Sequence, residues 1–130
     1  MEPKNAIRRV ATAHLLFMGD LNRFKAKFLQ TATLQCVQPD KQQADEIAIK
    51  KVKEQSLSFY NRAKTVFPHE GKVYHLLAQL ASRDSDHLSA IYNCMRALSC
   101  SYPSTSSETR ELLINVLEEI RIKDIEECRI

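Results

Sequence analysis

Apolar residues recur every three or four positions along the first thirty residues, and this spacing predicts an amphipathic helix over residues 4–30. The stripe consists of Ile7, Val10, Phe17, Leu21, Phe24 and Phe28. Ala11, Leu15 and Met18 widen it, so we expect this helix to pack on two sides. Gly19 in its middle costs about 1 kcal/mol relative to Ala, and a close helix crossing is the usual compensation.

The rest of the chain also shows helical periodicity. Polar residues between 31 and 43 predict a loop near 32–40, after which a long helix over 41–67 ends at Pro68. Apolar spacing predicts three further helices over residues 72–83, 87–101 and 106–127. Gly and Pro are scarce and Trp is absent, which favours helix over sheet. We therefore predict an all-α fold, an antiparallel array of about five helices.

Small and large residues in the stretch 71–103 follow the spacing of a tetratricopeptide (TPR) unit, in which two helices lock together. The matching positions are Tyr74, Leu77, Ala78, Ala81, Ala90, Cys94 and Ala97. Ser56, Tyr60 and Ala63 repeat the second-helix signature about one 34-residue period upstream. The prediction is one domain over 1–130: a first unit 4–68 with an insert near 31–43, a second unit 71–103, and a terminal helix 106–127 that covers the open end.

Composition limits the kinds of ligand and location that we expect for the protein. The net charge is +3, and because lysines and acids are interleaved, this alone does not argue for nucleic acid. Lys50, Lys51 and Lys53 are interpreted as a solvated helix face. The four cysteines form no CxxC pair and have no histidine at zinc-ligand spacing, so no metal or other cofactor is expected. Reduced thiols predict a cytoplasmic protein, with shuttling to the nucleus. No apolar run approaches the roughly 18 residues of a membrane span.

No group of residues suggests catalysis. The four histidines, His14, His69, His75 and His87, have no sequence partner that would complete a triad or a metal cluster. There is also no glycine-rich phosphate loop. We therefore predict that the protein is not an enzyme.

One polar group does suggest binding. Asp20 and Arg23 are one helical turn apart and can pair, while Arg9 and Lys27 extend the same flank. A planar guanidinium held by a neighbouring acid suits bidentate contact with phosphate. The alternative is a structural Asp–Arg pair on an exposed flank.

The order of several motifs resembles a known family. These are HLLFMGDLNRF at 14–24, YNRA at 60–63, GKVYHLLAQLAS at 71–82 and DHLSAIYNCMRAL at 86–98. Together they are similar to the 14-3-3-like TPR domain of the SMG-type adaptors of nonsense-mediated mRNA decay, which are related to the ever-shorter-telomeres subunit of telomerase. The resemblance covers about residues 7–120. It implies a 14-3-3-like fold that lacks the family's N-terminal helices.

The resemblance also implies a phosphopeptide site. Arg23 matches the family arginine that reaches phosphate, with Phe24 in place of the usual tyrosine. His75 stands where the family has an asparagine that grips the ligand backbone, and Asn22 is expected to join it. Lys27 or Arg9 would replace in part a basic residue that comes from an earlier helix in the family.

The leading hypothesis is thus a non-enzymatic adaptor that binds a phosphorylated partner in mRNA decay, such as the decay helicase. Two alternatives stay open. One is a generic TPR scaffold that holds an unphosphorylated segment or a sister SMG-type subunit. The other is a telomerase-associated factor that contacts nucleic acid, although the lysines at 50–53 lack the interleaved aromatics of a stacking surface.

Overall fold

The computed structural model describes residues 2–34, 39–104 and 106–128, without the side chains at 39–42 and 106. The described chain is helical throughout its regular structure, which confirms the predicted all-α fold and the five helices. Their bounds are α1 Pro3–Leu34, α2 Pro39–Val66, α3 Gly71–Arg83, α4 His87–Ser99 and α5 Ser106–Glu127. None of them is long and apolar enough to cross a membrane.

The predicted loop near 32–40 is wrong over most of its length. Helix α1 continues to Leu34 and α2 begins at Pro39, so only residues 35–38, which lie outside the described residues, separate them. Proline suits the first position of a helix because its missing N–H would have no partner there and its fixed φ is helical. Pro39 therefore starts a helix, although its polar neighbours suggested a loop. Helix α4 ends at Ser99, two residues before the predicted bound.

The chain divides into two compact units, residues 1–67 and 68–130, which are described separately below. In the first unit, α1 and α2 pack along one another as an antiparallel hairpin. Helix α1 buries small residues against α2, and Leu16 is the one large side chain among them. The buried positions of α1 are Thr12, Leu16, Gly19 and Ala26. Those of the α2 side are Ile49, Val52, Ser56, Tyr60, Ala63 and Phe67.

The predicted apolar stripe of α1 lies on the other side of the helix. All six of its residues are exposed, from 47% for Leu21 to 72% for Val10 and Phe28. The physical reason is the close approach of α2, which only a face of small side chains permits. A Cβ atom at position 19 would lie within 3.0 Å of three ring carbons of Tyr60. In addition, the Ser56 hydroxyl donates a hydrogen bond to the Gly19 carbonyl, at 2.9 Å.

The second unit contains α3, α4 and α5. Helix α3 is its centre, because an unbroken run from Val73 to Ala78 is buried. The small residues predicted for the helix crossing, Ala90, Cys94 and Ala97, are fully buried on α4. Val116 brings α5 into this core, and α5 contacts both α3 and α4.

The start of α3 is tied to the end of α4. Gly71 N–H donates to the carbonyl of Tyr102 at 2.7 Å, and Ser104 N–H donates to the carbonyl of Ala97 at 3.0 Å. Backbone atoms approach so closely that a Cβ at position 71 would meet three of them within 2.8 Å. Glycine is required at this position by space.

Candidate functional site

The predicted Asp20–Arg23 pair exists and is joined by a third group. The Arg23 guanidinium lies 3.6 Å from the Asp20 carboxylate. Tyr60, from α2, donates its hydroxyl to the same carboxylate oxygen. The guanidinium also lies over the Phe24 ring, 5.2 Å from its centre. Arg23 is thus held on two sides, and its side chain is only 17% exposed.

Tyr60 anchors this cluster in the interior. Its side chain is fully buried, and burial raises the pKa of its hydroxyl well above the ordinary value. The hydrogen bond to Asp20 raises the pKa of Tyr60 further. The hydroxyl therefore stays protonated and remains a donor, which fixes the Asp20 carboxylate and, through it, Arg23.

Basic residues collect on the edge of the hairpin where Tyr60 meets Asp20. At 100° per residue, helical spacing places Arg9, Arg23 and Lys27 on that edge of α1. The same spacing places Lys50, Lys53 and Lys64 on the adjoining edge of α2. We call these six residues the basic edge. The acids on or next to it are Asp20, Glu46 and Glu54, so the six basic residues outnumber the acids two to one.

Lys27 and Asn22, two residues of the predicted site, lie on different sides of α1. Lys27 lies one turn after Arg23 on the basic edge and is exposed. Asn22 is rotated by about 100° from Arg23, because consecutive helical residues differ by that angle. Its side-chain amide donates to the carbonyl of Met18 at 2.9 Å. Lys27 is therefore on the same side of α1 as Arg23 and Asn22 is not, while the binding of a ligand by these three residues stays a prediction.

His75 belongs to the second unit and is 6% exposed. Its Nδ1 lies 2.9 Å from the hydroxyl of Thr109, and its Nε2 lies 4.0 Å from a carboxylate oxygen of Glu108. Thr109 also donates to Ser104, at 3.1 Å. These contacts join α3 to the first turn of α5. The ring has partners within its own unit, and its predicted contact with a ligand stays a prediction.

A second aromatic–cation pair was not found by sequence reasoning. The Arg96 guanidinium lies 5.1 Å from the centre of the Tyr74 ring and donates to the Tyr74 hydroxyl at 3.3 Å. That hydrogen bond raises the pKa of Arg96. Tyr74 in turn donates to the carbonyl of Pro68. The spacing of 22 residues gives no sequence signal, because the contact depends on how α3 and α4 cross.

Charge is distributed unequally between the two units. Residues 1–67 contain twelve Lys and Arg against six Asp and Glu, whereas residues 68–130 contain seven against ten. The modest net charge of the chain therefore hides a strongly basic first unit. Interleaved signs in the linear sequence concealed this difference.

The described residues contain no group of three or more potential metal ligands. Cys94, Cys100 and Cys128 are free thiols, and Cys36 lies outside the described residues. Burial raises the pKa of the Cys94 thiol, which disfavours the reactive thiolate.

A family model with the description Est1 DNA/RNA binding domain matches residues 56–121, which is just over half of the chain. No curated protein and no solved structure matches the chain significantly. The matched stretch begins at Ser56, the α2 residue that contacts Gly19, and extends to Arg121 in α5.

Proposed function

The chain belongs to the Est1 DNA/RNA binding domain family, and we propose that it is a non-enzymatic adaptor that contacts nucleic acid through the basic edge of its first unit. The assembly it serves would be associated with telomerase or with mRNA decay, the two settings of the relatives that the sequence resembles. The observation that supports this most is the concentration of positive charge on one edge of the α1–α2 hairpin.

The matched stretch alone does not explain nucleic-acid binding. Residues 56–121 contain seven Lys and Arg and seven Asp and Glu, so they are electrically balanced. Of the basic edge, only Lys64 falls within this stretch. The phosphate contacts would come mainly from residues before 56, which lie on α1 and on the first half of α2.

The dimensions of the basic edge suit a nucleic-acid backbone. Lys50 and Lys64 are about 21 Å apart along α2, at 1.5 Å per residue. Several phosphates of a single strand fit within that length. Arg23 and Lys27 on α1 lie beside the lysines of α2. Contacts of this kind neutralise phosphate and release counterions, so they give affinity without sequence specificity.

The test is to measure the binding of single-stranded RNA and DNA oligonucleotides by the wild-type chain and by two variants, each of which reverses the charge of one lysine. Lys53→Glu removes a cation from the basic edge. Lys51→Glu makes the same change two residues away, at an exposed position rotated by about 200° around the helix. We expect Lys53→Glu to weaken binding at least about tenfold, since it also adds repulsion, and Lys51→Glu to weaken it much less.

Equal effects of the two reversals would contradict a role for the basic edge. Absence of binding by the wild-type chain at low salt would contradict nucleic-acid contact altogether. Circular dichroism of each variant shows whether the helices are retained.

A second candidate is the phosphopeptide adaptor of nonsense-mediated mRNA decay. The supporting observation is the fixed Arg23 guanidinium, which Asp20 and the Phe24 ring hold in place. Pre-positioned arginine loses little entropy when it binds phosphate. The ligand would be a phosphorylated Ser–Gln segment of a partner such as the decay helicase, with Lys27 as the second cation.

The phosphopeptide candidate has its own test. Arg23→Glu should abolish binding of a phosphorylated Ser–Gln peptide and keep the helical circular-dichroism signal. Wild-type chain that binds the phosphorylated and unphosphorylated peptides equally well would contradict this function. That result would leave nucleic-acid contact through the basic edge unaffected.

A further inference from the structure

Helix α1 has an apolar face, opposite its contact with α2, that the described residues leave exposed. The face that packs on α2 contains Thr12, Leu16, Gly19 and Ala26. At 100° per residue, its centre is roughly 170° from the centre of the exposed apolar stripe. Since α2 occupies one side, the large side chains of α1 point to the other, and helix packing within the first unit does not cover them.

The spacing of the exposed stripe is that of a heptad repeat. With Ile7 as the first a position, alternating steps of three and four continue to residue 28 without interruption. The a and d positions are Ile7, Val10, His14, Phe17, Leu21, Phe24 and Phe28. We call these seven residues the heptad face. An average spacing of 3.5 residues is typical of a helix that coils around another helix.

The size of the heptad face fits a partner helix. It spans about 32 Å along α1, at 1.5 Å per residue. Phe17, Phe24 and Phe28 are 59%, 58% and 72% exposed, and Ile7 and Val10 are more than 70% exposed. Six large apolar side chains, each at least 47% exposed, follow one another along this face. A continuous apolar face of this kind is typical of an interaction surface, and in a symmetric pair both copies would bury it.

We propose that a second copy of this chain covers the heptad face, with the two α1 helices parallel and in register. The a and d residues of each helix would then meet the same residues of the other. The interface would be a short two-stranded coiled coil attached to the two hairpins, each of which keeps its own contact with α2.

Charge complementarity favours the parallel arrangement. In a parallel pair, a g position faces the following e position of the other helix. Asp20 is at g and Lys25 at e, so each copy would place Asp20 opposite Lys25 of the other. Tyr60 and Arg23 both contact Oδ1 of Asp20. Its second oxygen, Oδ2, can accept from that lysine.

His14 is the polar exception in the heptad face. A polar residue at a single a position lowers the stability of a coiled coil and fixes its register, because any shift would place it against an apolar layer. In the in-register pair, His14 meets His14. We therefore assign to His14 the role of setting the register.

Sedimentation equilibrium of the full chain over a concentration series tests the dimer. We expect a monomer–dimer equilibrium with a Kd of about 10 µM or tighter. Phe17→Glu should raise the Kd at least about 100-fold, since it places charge in the centre of the seam. Tyr92→Glu is the matched control, because Tyr92 is an exposed aromatic of similar exposure, 62%, on α4. It should leave the Kd unchanged.

A second pair of variants tests the orientation. Lys25→Glu would face Asp20 of the other copy and should weaken the dimer about tenfold, whereas Lys27→Glu would face Ala32 and should have little effect. His14→Leu should tighten the dimer.

Wild-type chain that stays monomeric up to roughly 100 µM would overturn the proposal. So would a dimer that Phe17→Glu and Tyr92→Glu affect equally. A dimer in which Lys25→Glu and Lys27→Glu behave alike would overturn the parallel register.

Discussion

The two units differ most clearly in α1 and α3, which use their large apolar side chains in opposite ways. The first unit buries small residues such as Thr12, Gly19 and Ala26 on α1, and its phenylalanines at 17, 24 and 28 are exposed. The second unit buries a run of large residues on α3, and small residues of α4 pack against it. The first unit is basic, whereas acids outnumber bases in the second.

Because of this difference, the large apolar side chains of α3 serve stability, whereas those of α1 are available for binding. Burial of a large apolar side chain contributes about 1.5–3 kcal/mol, so the large residues of α3 stabilise their unit directly. The exposed stripe of α1 leaves comparable side chains in water, where they contribute little to the folding of the first unit. Its surface, with an apolar face on α1 and a basic edge beside it, is suited to partners. Mutations of the large apolar residues of α3 should therefore act on stability, and mutations of the exposed stripe of α1 on association.

The largest effect on the free energy of unfolding is expected where a methyl group is added to a glycine in close contact with another part of its unit. Gly71→Ala would place a Cβ against backbone atoms that cannot move independently, and we expect a loss of about 3 kcal/mol or more. Gly19→Ala meets the Tyr60 ring, and about 1 kcal/mol of helix propensity offsets the clash. Chemical denaturation measures both. A larger loss of stability for Gly19→Ala than for Gly71→Ala would contradict this prediction.

The next largest effect on stability is expected at Val73, and Val10 is the residue to compare it with. Val73→Ala empties a fully buried position of the second unit and should lower the free energy of unfolding by about 2 kcal/mol. Val10→Ala truncates a side chain that is 72% exposed and should change the stability of the monomer by less than about 0.5 kcal/mol. Denaturation at low protein concentration isolates the monomer. Similar losses would show that something within the monomer covers the heptad face.

A smaller effect is expected at the contact between α3 and α5. Thr109→Val removes the hydroxyl that lies 2.9 Å from His75 and leaves a buried ring nitrogen without that partner. The expected loss is about 1–2 kcal/mol. Thr65→Val is the control, because its exposed hydroxyl bonds only the preceding turn. An equal loss in both would show that the buried hydrogen bond contributes nothing specific.

The smallest effect concerns Tyr60 and depends on pH. Its folded pKa is raised, so its contribution is complete below the unfolded pKa of about 10 and is lost as pH rises above that value. The free energy of unfolding should therefore fall above pH 10, and Tyr60→Phe should flatten that fall. At neutral pH the substitution should cost about 1 kcal/mol. If the free energy of unfolding of Tyr60→Phe falls just as steeply above pH 10, groups other than Tyr60 cause the fall.

The sequence predicted the second unit more accurately than the first. Tyr74, Leu77, Ala90, Cys94 and Ala97 are all buried, as the TPR spacing requires. In α1, periodicity identified an apolar stripe but did not show that the side facing α2 is the opposite one. An isolated sequence cannot show whether a stripe meets the adjacent helix or another molecule. Only the packing of Tyr60 over Gly19 reveals that the small side of α1 faces α2.

The candidate site was predictable in part. The Asp20–Arg23 pair follows from a spacing of three residues on one helix. The contribution of Tyr60 to that pair, 40 residues away, depends on how two helices pack and leaves no local signal. The same holds for His75 and Thr109, which are separated by 34 residues. The basic edge combines residues of two helices, so a linear scan for charge clusters does not find it.

The central claim is that the basic edge of the first unit neutralises phosphates, and the salt dependence of nucleic-acid binding tests it most directly. Each phosphate contact with a single strand adds about −0.7 to the slope of log K against log salt concentration. Four to six contacts predict a wild-type slope of about −3 to −4, and the double variant Lys50→Ala/Lys53→Ala should be shallower by about 1.4. A wild-type slope near zero, or an unchanged slope in the double variant, would contradict the claim.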